Sequence, residues 1–292
     1  MANTLYIVED DFYTNLPTVV RATTLAETTK LMTFLPGFKV SVIPPPKFPT
    51  KYDFTDSVVR VVNNDAAVSA FSNNSMRQQG TNLVQSAKNN GVKLDAPASK
   101  HNAGAPDGGG TGFQMKVVLE AGSNKLLFVL TGGAASLEFA KEAVVEQLTD
   151  GRTESEIRTK QRTLIEGRPG RPGMGKAKYD ASNQGKADAK HLEAHKMAAK
   201  PIGDWPSAQQ ISVATALARI IAHEARHQYV AAHYSGGGLG AGEAAFWGDK
   251  NFEQFDEGDQ KEIQVAIKGF AEAQKTATIH LETNPTKQPF PF

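Results

Sequence analysis

The chain has 292 residues, with 32 Lys and Arg against 31 Asp and Glu; a sizeable core is possible, and the near-zero net charge argues against a dedicated nucleic-acid binder. It has no cysteine, which removes disulfides, thiol catalysis and thiolate-bound metal, so a metal would have to be held by its seven histidines and its carboxylates. Glu9 and Asp10 lie where a signal peptide needs a basic flank, and no stretch reaches the roughly eighteen apolar residues of a membrane span. The expected location is cytoplasmic, or outside by a route without a cleaved signal.

Residues 16–35 carry apolar side chains at helical spacing, with Pro17 near the start, where a helix tolerates it. Residues 38–43 alternate like a strand and stop at three prolines. Residues 58–62 read as a second strand and 66–89 as a polar helix. The stretch 95–112 reads as loop, its glycine run 108–110 as a flexible linker. Residues 113–120 and 125–130 are strand-like and joined by four residues, a hairpin. A helix follows over 134–148, with Leu137, Ala140, Val144 and Leu148 on one face.

Residues 151–200 hold twelve Lys and Arg against six Asp and Glu and few large apolar side chains. They predict a mobile, solvated segment rather than a nucleic-acid surface, because Tyr179 is their only aromatic side chain. Within it, residues 170–176 imitate a phosphate-binding loop, but Ala177 stands where Ser or Thr would hold magnesium. His191 and His195 are four apart among lysines and read as a surface helix. Ser207, with Gln210 completing a capping box, opens a helix expected to run on to Gly236. Residues 260–276 form a last amphipathic helix through Ile263, Ala266, Phe270 and Ala273.

The long helix contains His223-Glu224-Ala225-Arg226-His227. Two histidines four apart lie on one helix face, so both imidazoles can reach one ion, and Glu224 is placed to take a proton from metal-bound water. At this composition such a pattern arises by chance in about one chain in a hundred of this length. The motif resembles that of the zincin metallopeptidases, over residues 110–292 at most. The resemblance implies an α+β, zincin-like catalytic domain over 101–292, with a small antiparallel sheet before the active-site helix. The basic flexible segment at 151–200 lies inside it, and residues 1–100 form a mixed N-terminal region of unassigned role.

The third ligand is open between two residues. His233 has the metzincin spacing, but no glycine follows His227 to break the helix and no later methionine supplies that subgroup's turn. In a continuous helix His233 would lie about 15 Å beyond His223 and point away. Glu243, after the glycine-rich stop at 236–238, fits the gluzincin arrangement and is favoured, with Asp249 as an acid that would orient a ligand histidine. Tyr234 is the favoured helper for the developing oxyanion, beside Tyr229, His233 and His280, and Arg226 is expected in a surface or structural ion pair. The resulting expectation is a Zn2+-dependent metalloendopeptidase acting on a peptide or protein, with no nucleic-acid partner and no membrane span. Two alternatives are an exported toxin or effector protease and a non-catalytic protein with a residual zinc site.

Overall fold

Strands β1 (Thr4–Val8), β2 (Lys39–Ile43), β3 (Ser57–Val62) and β6 (Leu126–Ser136) run parallel and form the middle and one side of a seven-stranded sheet. Short runs of Val, Ile and Leu suit such strands, because helices and loops cover both faces; in β3 only Arg60 is not fully buried. Strand β5 (Gly110–Val118) pairs antiparallel with β6, and β4 (Ser99–Ala103) pairs antiparallel with β5, giving the order β2-β1-β3-β6-β5-β4. Strand β9 (Thr286–Pro289) pairs with the first part of β6. The computed structural model describes residues 3–43, 53–70, 82, 85, 89, 99–103, 109–118, 126–230, 232–241, 253–280 and 286–289.

The fold is therefore mixed α/β. The hairpin expected before the long helix is present, but it is not a small separate sheet: β3 pairs with β6, so one sheet takes strands from both sides of residue 100. The stretch expected as loop over 95–112 contains β4 and the start of β5. Of the polar helix expected at 66–89, Asp65–Ala70 is helical, and most of the rest lies outside the described residues.

Helices α1 (Asp11–Thr14), α2 (Thr18–Leu31) and α3 (Asp65–Ala70) precede the hairpin. Helix α4 (Leu137–Thr149) starts three residues later than its sequence pattern suggests. Strand pairing continues to Ser136, whose hydroxyl then caps the helix by accepting from Phe139 N–H at 3.1 Å.

The basic segment is ordered, against expectation. It forms α5 (Glu154–Glu166), a two-strand turn β7 (Gly167–Arg168) and β8 (Arg171–Pro172), α6 (Lys176–Ala181) and α7 (Asn183–Ala198). Its core is polar where large apolar side chains are scarce. Asp188 is fully buried, accepts from Arg152 at 3.0 Å and from Gln184 at 2.8 Å, and takes the Tyr179 hydroxyl as a third donor. His191 packs against Arg152, and His195 bonds the Arg152 carbonyl oxygen at 2.9 Å, so both belong to this network. The loop that imitates a phosphate site is the β7–β8 turn and its exit.

Helix α8 (Ser207–His227) is the centre of the molecule, with α2 and α4 packed on it and β3, β6 and β5 beneath it. From Ala216 onward almost every residue is buried, with Leu217, Ile220 and Ile221 fully so, each contributing about 1.5–3 kcal/mol of transfer free energy. Alanines at 214, 218 and 222, one turn apart, admit a close neighbour; the Thr24 hydroxyl of α2 reaches the Ala214 carbonyl at 3.4 Å. The expected capping box does not form. Pro206 is the cap, and the Gln210 amide donates to the carbonyls of Trp205 and Gly203. Helix α9 (Glu257–His280) presents Ile263 and Phe270 to the core, as its pattern predicts. No described helix is long and apolar enough to cross a membrane.

Candidate metal centre

The last turn of α8 carries His223, Glu224, Arg226 and His227, none more than 4% exposed. The Nε2 atoms of His223 and His227 face each other at 2.9 Å, with the rings edge to face. His223 Nδ1 bonds the Leu239 carbonyl oxygen at 2.7 Å. A carbonyl only accepts, so Nδ1 holds the proton and Nε2 offers its lone pair. Burial, and then the neighbouring His227, push the His223 pKa well below its usual value, which keeps the ring neutral. A neutral imidazole with a fixed tautomer is ready to ligate without releasing a proton.

The helix does not run on to Gly236. It stops at His227, and two tertiary anchors and one local one explain why. The Gln228 side chain leaves the helix register to pair with the β3 backbone, accepting from Val58 N–H at 2.9 Å and donating to Val58 C=O at 3.0 Å. The Tyr229 hydroxyl donates to the Thr55 carbonyl at 2.7 Å. Arg226 Nη1 donates to the Ala232 carbonyl at 2.7 Å, so a residue beyond the helix end is satisfied without a further turn.

The chain then returns, and His233 comes back over the motif. Its ring centroid lies 5.2 Å from that of His223 and 4.8 Å from that of His227. This corrects the expectation that His233 points away. One nitrogen from each of the three rings lies within 4.8 Å of the others, and His233 is exposed. Tetrahedral zinc with 2.0–2.1 Å bonds spaces its ligand nitrogens about 3.3 Å apart. The His223–His227 separation of 2.9 Å is close to that, and a nitrogen of the exposed His233 lies within 4.8 Å of both. In donor type and approximate spacing the three histidines suit zinc.

Glu243 and Asp249 lie outside the described residues. The Tyr234 hydroxyl is held by Asp256 beside the start of α9, and burial together with that carboxylate raises its pKa. Tyr229 is spent on Thr55, and the side chain of His280 lies outside the described residues. Arg226 does form an ion pair, with Asp259 of α9 at 2.7 Å, and both side chains are fully buried rather than at the surface.

Glu224 is pinned by the sheet. A Cβ on Gly110 would overlap its carboxylate, and one on Gly112 would overlap its carbonyl oxygen and stand 2.6 Å from His227 Cβ. Glycine at both positions lets β5 lie directly on the motif. Gly110 falls in a run that reads from sequence as a flexible linker or long surface loop, yet it opens β5. The signal was available: two glycines two apart share one strand face, opposite a motif helix.

No family model, curated protein or solved structure matches the chain.

Proposed function

We propose that the chain is a zinc-dependent peptidase whose ion is held by His223, His227 and His233. The observation that carries this reading is the convergence of three imidazoles beside a buried carboxylate, at the end of the buried half of α8. Zinc, when bound, supplies a Lewis acid that acidifies a water and polarises a carbonyl. The Leu239 carbonyl fixes the His223 tautomer, and burial holds that ring neutral. Glu224, one residue from the first ligand and held against Gly110, accepts the proton of the attacking water and returns it to the leaving amine. The peptide bond as substrate comes from the zincin-like His-Glu-x-x-His pattern. Glu243 is the competing third ligand.

The test has two stages. Purified protein should carry about one zinc per chain by elemental analysis, and His233→Ala should lose it more readily than Glu243→Ala; the reverse ranking restores the glutamate-ligated reading. Glu224→Gln should keep the metal and lose cleavage of a fluorogenic peptide library. Full cleavage by that variant would remove Glu224 as the base.

A further inference from the structure

We infer that Arg226 and Asp259 are positioning residues for the metal centre: their buried ion pair sets the chain return that carries His233, and so makes the ligand set depend on the docking of α9. The inference rests on the metal centre proposed above.

Arg226 lies between the two helix ligands in sequence but bonds away from them. Its Nε donates to Asp259 Oδ1 at 2.7 Å and its Nη1 to the Ala232 carbonyl at 2.7 Å, one residue before His233. The other end of the return meets the same pair. A Cβ on Gly240 would overlap the Asp259 carboxylate and stand 2.8 Å from Arg226 Nε, so residue 240 is packed on the ion pair. Gly240 accepts from the backbone N–H of Tyr234, next to His233, at 2.8 Å. The Leu239 carbonyl, before it, accepts the hydrogen bond from His223 Nδ1. One guanidinium–carboxylate pair thus touches both strands of the return and, through it, two of the three ligands.

The pair is poorly made for stability alone. Among the described residues, Arg226 Nη2 and Asp259 Oδ2 are buried with no hydrogen-bond partner, and the next carboxylate from Nη2, that of Glu262, is 3.8 Å away. Desolvation outweighs the Arg226 charge and raises the Asp259 pKa. A buried ion pair with unsatisfied atoms contributes little over an apolar replacement, whereas fixing the register of a chain segment is the best-attested use of such pairs.

The experiment is Asp259→Asn, which keeps an acceptor for Arg226 Nε and removes the charge. Zinc affinity, by competition with a chromophoric chelator, should weaken 10- to 100-fold. The cobalt-substituted protein should lose the intensity of its tetrahedral d–d bands. Adding His233→Ala to Asp259→Asn should weaken binding no further, because the third ligand is already displaced. A lower melting temperature with an unchanged cobalt spectrum and the full additional effect of His233→Ala would overturn the inference, leaving the pair purely structural. If Asp259→Asn does not fold, Gly240→Ala, which displaces the same carboxylate without changing charge, takes the same measurements with the same outcomes. Absence of metal from the wild-type chain would sink the metal centre itself; metal in the wild type with unaltered binding in these variants would sink only the positioning role.

Discussion

Gln228→Ala is expected to be among the most damaging single changes outside the proposed ligands. The side chain is fully buried and makes four hydrogen bonds, to Val58 N–H at 2.9 Å, Val58 C=O at 3.0 Å, the Thr131 hydroxyl at 2.7 Å and, at 3.4 Å, the Glu224 C=O. Truncation leaves two backbone groups of a central strand and one hydroxyl without that partner in a dry interior. Each costs about 1–3 kcal/mol, and because the hydroxyl can rotate toward another acceptor, the two backbone groups set the expected loss at about 2–6 kcal/mol. That is a large share of the about 5–15 kcal/mol that holds a typical domain folded. Gln228→Glu should do no better, since it replaces the donor to Val58 C=O with a second acceptor. Urea unfolding followed by far-ultraviolet circular dichroism measures the loss, and a change below about 1 kcal/mol would refute the claim that this amide anchors the end of α8.

Gly112→Ala should cost about 1–3 kcal/mol by overpacking β5 against Glu224 and His227, and should lower zinc retention in the same step; normal metal content in a destabilised variant would separate the two. In chelator-treated protein, stability should be level above about pH 6.5 and fall below it, because the unfolded His223 takes up a proton near that pH while the buried ring does not. Thermal melts of His223→Asn across that range should show a shallower slope, and an identical slope would exclude His223 as a source. Asp188→Ala should cost about 3–5 kcal/mol by stranding Arg152 and the Tyr179 hydroxyl. Limited proteolysis should then cut within residues 151–200 of the variant and spare the wild type; equal cutting of both would restore the mobile reading of that segment.

The parts of the fold that could be read from the sequence are those set by local periodicity. Strands at 39–43 and 57–62, the antiparallel pair β5–β6, and α9 with Ile263 and Phe270 inward all follow patterns of two or 3.6 residues. The joining of the hairpin to the N-terminal strands was not visible, because parallel pairing of β3 with β6 leaves no mark on either segment. The order of residues 151–200 was missed for another reason. Composition counts Lys and Arg as solvated, but Arg152 is half-buried by what it serves, a carboxylate with no exposure at all. A polar core has the composition of a surface.

The metal centre shows the same division more sharply. The pairing of His223 with His227 was legible because residues four apart share one helix face. The return of His233 was not, since Val230, Ala231 and Ala232 contain no helix breaker and local propensity favours continuation. The stop is made by partners 170 and 174 residues away in sequence, Val58 for Gln228 and Thr55 for Tyr229. Requiring a glycine after the second histidine mistakes one way of ending a helix for the condition itself. The condition is that the last carbonyls of the helix find donors, and here the backbone N–H groups of Gln228, Tyr229 and Val230 supply them to Ala225 and Arg226, while Arg226 holds the departing chain at the Ala232 carbonyl. Six residues from His227 to His233 is the span such a tethered turn closes. The convergence of His233 on the two helix histidines thus depends on the arginine that lies between them in sequence.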